Sequence, residues 1–295
     1  MNEKIRIEKS RSLAFGLWPL VFLVSFVCFV GNACSQDLDS IRSAIASGNV
    51  ELVRNALGQI KNLHTEAASR LAIPALADKD LIVRATAASS IIFLPKPEAS
   101  SLLTPLLNDK FEFVRTEAAF ALGEVGDASA TTALLKALEK DTRVVKAATA
   151  TALGKIGDVS AIGPLTSVLR SRPQEDNEFL RRCAAHAIGK IAEINRHLDW
   201  STTTPENFLA EKYKTGYLTA AKTPQLQNSQ KAVETLIGVL SNKGDSDDAR
   251  REAAFALGAI GDPVAKSVLT QHLNSADNYL AEICKEALLK LEKTR

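Results

Sequence analysis

Histidine, cysteine and tryptophan are scarce in this chain of 295 residues, which holds four His, four Cys, two Trp and three Tyr. The four imidazoles, His64, His186, His197 and His272, are scattered. No Ser-His-Asp arrangement, no phosphate-cradling glycine loop and no acidic metal cluster appears. One pair has ligand-like spacing: Cys183 and His186 lie three apart on one helix, with His197 as a third donor only if a loop folds back. A single Cys-x-x-His lacks the paired spacing of zinc modules, so the sequence implies neither metal, cofactor nor catalysis.

Charge is missing between Arg11 and Asp37, where 25 residues run "SLAFGLWPLVFLVSFVCFVGNACSQ". Lys4, Arg6, Lys9 and Arg11 precede the run against only Glu3 and Glu8. A basic start, an apolar run and a small-residue exit make a secretory signal over residues 1–34. The apolar part, Leu13 to Val30, is long for a signal core and approaches the ~20 residues of a membrane anchor. Cleaved signal and retained anchor both satisfy the pattern, and either places the rest of the chain outside the cytoplasm. The segment holds four of the 36 bases and two of the 34 acids, so the remainder is electrically balanced. A balanced domain has no concentrated basic patch with which to bind nucleic acid.

Of the four cysteines, Cys28 and Cys34 belong to that segment, and Cys183 and Cys284 fall in separate repeats, too far apart to bridge. "GNAC", ending at Cys34, resembles the lipobox of bacterial lipoproteins, in which a small residue precedes the lipid-bearing Cys. Gly31 and Asn32 depart from that pattern, and ordinary cleavage near Ala33 or Ser35 is the alternative. The polar "SQDLDS" that follows reads as a tether, within a tether and N-terminal cap over 35–48.

What the chain has in abundance is repetition. "VRTEAAFALGEVGD" begins at Val114 and "ARREAAFALGAIGD" at Ala249; the same pattern starts at Val83, Val145, Leu180 and Leu280. Seven places on stand Ser90, Ala121, Ala152, Ala187, Ala256 and Ala287; one further are Ile91, Leu122, Leu153, Ile188, Leu257 and Leu288. Small and aliphatic residues at places 4, 7, 8 and 11 make one stripe of a helix. A second helix closes on Leu107, Leu138, Leu169, Leu240 and Leu273, with Leu76 in a weaker first unit from about Asn49. Gly126-Asp127, Gly157-Asp158 and Gly261-Asp262 separate the halves, glycine stopping one helix and aspartate starting the next. Asp80, Asp109, Asp141, Asp176, Asp245 and Asp277 precede the first helices and read as their caps. A two-helix unit cannot bury its own apolar face, so the units stack. The expected fold is all-α, a right-handed solenoid of about six units over 49–295.

"VRTEAAFALGEVGD" and "VKAATATALGKIGD" resemble HEAT-like repeats of the phycobilin-lyase type, over residues 83–295 apart from one insertion. The resemblance implies an armadillo-like scaffold that binds protein. It also admits a chromophore-attachment or metal-dependent factor, although no residue set specifies a chromophore groove. It extends to deoxyhypusine hydroxylase, whose repeats carry iron-binding His-Glu pairs. At those positions this chain has Thr116-Glu117, Ala147-Ala148, Arg182-Cys183 and Arg251-Glu252, so the imidazoles that activity requires are missing.

Arg84, Arg115, Lys146, Arg181 and Arg250 form one column, and the turn acids Asp127, Asp158, Glu193 and Asp262 another. Acids recur with the bases, so a structural ladder, with each base reaching turn carbonyls or an acid of the adjacent unit, is favoured over a grip on an acidic partner. The pattern breaks once, by an insertion at 194–230 that holds Trp200, Phe208, Leu209, Tyr213 and Tyr217. Thr204-Pro205-Glu206 reads as a helix start that aligns Leu209, Tyr213 and Tyr217 on one face. These five residues are the candidate contacts for a protein partner, with packing onto the solenoid as the plainer role. The resulting expectation is a non-catalytic protein-binding scaffold in the cell envelope, held to the membrane by its N-terminal segment or a lipid. Mass spectrometry of the mature N-terminus decides among these, and lipidated Cys34 as the first residue is the outcome the lipobox resemblance implies. A free Cys34, or a chain beginning at Gln36, contradicts the lipid.

Overall fold

The computed structural model describes residues 38–196 and 230–292, and everything described is helix, short 3-10 turn or loop. The leader, Cys34, His197 and the five candidate contacts from Trp200 to Tyr217 lie outside the described residues. A helix α1 spans 38–46, so the polar stretch expected as a tether is already helical from residue 38. The first helices of the units are α2 (Val50–Leu63), α4 (Leu81–Ser90), α6 (Glu112–Val125), α8 (Arg143–Ile156), α10 (Glu178–Arg196), α12 (Asp247–Ile260) and α14 (Asn278–Glu292). The second helices are α3 (Glu66–Leu71), α5 (Lys96–Leu103), α7 (Thr131–Lys140), α9 (Ile162–Leu169), α11 (Gln230–Ser241) and α13 (Lys266–Gln271). The result is an all-α solenoid of tandem helix pairs, in which each helix contacts its own partner and the adjacent units.

Local chemistry sets the boundaries. Asn49 opens α2 by accepting from the backbone N–H groups of Glu51 and Leu52. Gly126, Gly157 and Gly261 end α6, α8 and α12 at φ of 64°, 80° and 68°, the left-handed region a side chain resists. Asp127, Asp158 and Asp262 then accept from Ser129, Ser160 and Val264 N–H to start the second half. In α10 the stop is replaced by Ala192-Glu193; the helix continues to Arg196, past the expected start of the insertion at 194.

The core follows the repeated columns. Val83, Val114, Val145, Leu180, Ala249 and Leu280 are all buried, as are Ala87, Ala118, Ala184, Ala253 and the Ala121–Ala152–Ala187–Ala256–Ala287 series. Among the closing leucines, Leu107, Leu138, Leu169 and Leu240 are buried, but Leu273 is not. Helix α13 ends at Gln271, so Leu269 fills the core and Leu273 falls in the exposed turn beyond it.

From α6 to α14, successive first helices touch along their lengths because a glycine of one faces the next. A Cβ on Gly123 would lie 2.7 Å from Ala152 Cα, and one on Gly154 2.8 Å from Ala187 Cα. One on Gly258 would lie 2.6 Å from Ala287 Cβ, and at Gly189 the ring of Phe255 takes the space. Successive second helices are separated more widely, α9 and α11 being the pair that meets best. An array with one row of rods closer together than the other bends toward the closer row. The α4–α6–α8–α10–α12–α14 row is therefore the inner side of the curve.

Replacing Gly258 by Val is expected to lower the unfolding free energy by about 1–3 kcal/mol, because the clash includes Ala287 backbone. Gly238→Ala, where an added Cβ meets nothing within 4 Å, is expected to raise it by about 0.5–1 kcal/mol. Urea unfolding of the two variants checks both signs.

Candidate binding face

The basic column is structural, and its geometry is specific. Arg84 of α4 donates to the Asp78 carbonyl at 2.7 Å in the loop before it, and through Nε and Nη2 to Asp109 at 2.8 and 3.0 Å in the loop after it. Arg115 of α6 repeats this with the Asp109 carbonyl at 2.8 Å and both oxygens of Asp141 at 2.8 Å. Arg181 of α10, only 2% exposed, donates to the Leu169 and Ser171 carbonyls and to Asp245 at 2.8 and 2.5 Å. Each guanidinium thus ties the loop before its helix to the loop after it, a two-sided task suited to its planar fork.

Two positions vary the scheme. Lys146 reaches only the Glu139 carbonyl, at 2.7 Å, and Arg143 takes the following Asp176 instead. In the sixth unit the task is divided: Arg250 donates to the Leu240 carbonyl, and Arg251 takes Asp277 at 2.9 and 3.0 Å. The acids that answer the column are therefore Asp109, Asp141, Asp245 and Asp277, not the Gly-Asp turn acids. This corrects most of the expected caps. Asp80 and Asp277 do cap their helices, but α8 and α12 are capped by Thr142 and Ser246. Asp176 lies within a 3-10 turn before α10, and the residue that precedes α6 is Phe111, which offers no side-chain cap.

Burial alone would raise the Asp109 and Asp141 carboxyls; hydrogen bonds from Arg84 and Arg115, joined by backbone N–H groups, hold both below the usual range. At Asp277 the Arg251 hydrogen bond is the main cause of the same lowering.

The chemistry-bearing side chains on the inner row are also engaged between units. His186 Nδ1 lies 2.8 Å from Glu252 of the next unit, and its ring stacks on Phe255 at 5.5 Å. The Cys183 thiol is pushed up by burial, opposed by a hydrogen bond with Thr151, and Cys284 is pushed up to about 11 by burial. Neither cysteine is in a disulfide. Among the described residues no group of three His, Cys, Asp or Glu is placed to hold a metal.

Apolar side chains stand exposed along the same row. Phe113, Val144, Phe179 and Tyr279 each sit one residue before the buried start of their unit and open to solvent. Arg182 lies over Phe179 at 4.9 Å and Arg251 over Tyr279 at 5.3 Å. Sequence reasoning missed this row, although its spacing of one per unit was visible.

The profile of HEAT repeats matches residues 38–122, 69–154, 106–176 and 212–288, and the chain belongs to that family. No curated protein matches the sequence. Among solved structures, human deoxyhypusine hydroxylase in complex with glycerol is similar at 20% identity and TM-score 0.40, over 89% of this chain and 98% of that one. The complex of CpcE and CpcF of phycocyanin lyase from Nostoc sp. PCC7120 is similar at 24% identity and TM-score 0.38, over 77% and 93%. A designed armadillo repeat protein in complex with the peptide (KR)4 is similar at 16% identity and TM-score 0.43, over 86% and 99%. These are likenesses of helical-repeat architecture and extend to no residue of a site.

Removing one partner of the buried Arg181–Asp245 pair strands a charge, so Arg181→Met is expected to cost about 3–5 kcal/mol in urea unfolding. Asp109, Asp141 and Asp277, with lowered folded values, contribute stability that is complete above the unfolded value of about 3.9 and lost as pH falls through the folded ones. Unfolding midpoints should therefore drop below about pH 4, and Asp141→Asn should flatten that drop.

Proposed function

We propose that this chain is a non-catalytic protein–protein interaction scaffold, displayed outside the cytoplasm on or near a membrane. One observation carries the reading: the side chains suited to chemistry are engaged in joining units, while large apolar side chains stand exposed along the inner row. The leader supports the location by its charge and hydropathy pattern. Among the described residues no helix is long and apolar enough to cross a membrane. The insertion after α10, with Trp200 and Tyr213, is a further expected contact.

A second reading is a chromophore-attachment or metal-dependent factor on the same repeats. Among the described residues Cys183, His186 and Glu252 lie near one another on α10 and α12, although they are not placed to hold a metal. The two readings part on the native protein. A scaffold gives no stoichiometric metal, no visible absorbance and no covalent capture of an added open-chain tetrapyrrole, while cross-linking in envelope extract joins it to a protein. Stoichiometric metal, or tetrapyrrole bound covalently and passed to an acceptor protein, overturns the scaffold.

A further inference from the structure

Several charged side chains on the inner row are matched across units. Lys155 meets Glu124, Arg182 meets Asp248, His186 meets Glu252, and Lys290 meets Glu193 at 3.2 Å. Glu117 of α6 differs. It is half-buried on the same face, yet has neither a hydrogen-bond nor an ion-pair partner among the described residues. The one charged group acting on it, Lys61 of α2, does so from a distance without forming a pair. Burial accordingly pushes its carboxyl up.

The surroundings of Glu117 are as unusual as its lack of a partner. Phe113 is four residues before it and Phe120 three after, so all three project from one stripe of α6. The two rings remain 48% and 41% exposed, a poor use of aromatic surface in a folded chain. The positions equivalent to Glu117 and Phe120 on either side are small, Thr86 and Ser89 on α4 and Ala148 and Thr151 on α8, while Ile82 and Val144 stand at the place of Phe113. Phe120 therefore rises above its neighbours, with a half-buried carboxylate between the two rings. Aromatic faces attract cations, and a carboxylate among them supplies the counter-charge. An anion or a purely apolar group would leave Glu117 uncompensated and more deeply buried.

We propose that Phe113, Glu117 and Phe120 form a recognition site for a lysine or arginine side chain carried by a polypeptide partner. The proposal rests on the scaffold reading and specifies what that partner presents. The cationic head meets Glu117, its aliphatic stem lies along the rings, and binding supplies the charge that the neighbouring units do not.

The test uses the full-length protein and a fluorescein-labelled Gly/Ser dodecapeptide bearing four lysines, followed by fluorescence anisotropy. The lysine peptide should bind saturably. Glu117→Gln should weaken it at least tenfold, the Phe113→Ala/Phe120→Ala double variant several-fold, and Glu139→Gln, on exposed α7, not at all. Glu117→Gln should melt at the same temperature as the parent or higher, which separates lost recognition from lost folding. The site is overturned if the peptide binds Glu117→Gln as tightly as the parent, if a glutamine or glutamate version binds equally, or if no saturable binding occurs at millimolar peptide. It is also overturned if n-butylammonium competes as well as the peptide, since a small amine would then be the ligand. Envelope cross-linking that persists unchanged in Glu117→Gln would leave the scaffold standing and remove only this site.

Discussion

The close approach of consecutive first helices is the constraint on which the rest of the molecule depends. Gly123, Gly154 and Gly258 each face the backbone or Cβ of an alanine in the next unit, and Gly189 makes room for Phe255 and Ala256. Bare backbone on one helix and a methyl on the other bring the axes nearer than side chains of ordinary size permit. The second helices, bearing leucines, keep a wider spacing. Curvature, an inner row and a shared surface follow from that difference. So does repetition, since the units from α6 to α12 each offer a helical glycine to the unit that follows.

The arginine ladder complements this packing at one edge of the array. A buried ion pair adds little net stability once desolvation is counted. Its value here is geometric: Arg84, Arg115 and Arg181 reach a carbonyl before and a carboxylate after their own helix, an arrangement open only to correctly stacked loops. Small-residue contact along the helices sets the spacing, and the guanidinium forks set the register. Charge consumed in this way is not displayed, which fits a surface that would bind through aromatic rings and the unmatched carboxylate of Glu117.

Much of the fold was legible because its cause recurs. The Ala121–Leu122 and Ala256–Leu257 columns, the Gly126-Asp127 turns and the free thiols all follow from periodicity and local chemistry. The helical glycines were harder to read, since a glycine inside a helix looks only unfavourable until the facing alanine is known. Asp109 and Asp141 read as caps in the sequence because aspartate before a helix usually is one; their arginines lie 25 and 26 positions earlier in the chain. Leu273 kept the expected column but lost its helix, because α13 stops at Gln271. Glu117 carried little signal, since Glu252 stands at the same place of another unit; the difference, that Glu252 meets His186 while Glu117 meets nothing among the described residues, becomes visible only in the contacts.

The central claim is that the units form a single row in which distance grows with each unit passed. Ser129, Ser160 and Val264 occupy equivalent, exposed turn positions in the third, fourth and sixth helix pairs, counting from α2 and α3. Pulsed electron–electron resonance between nitroxide labels at Ser129 and Val264 measures the row directly. At about 8–10 Å per helix layer, three steps give a separation of about 25–30 Å, longer than that between Ser160 and Val264. A Ser129–Val264 distance equal to or shorter than the Ser160–Val264 one would mean that the helices gather into a globule, and would contradict the account.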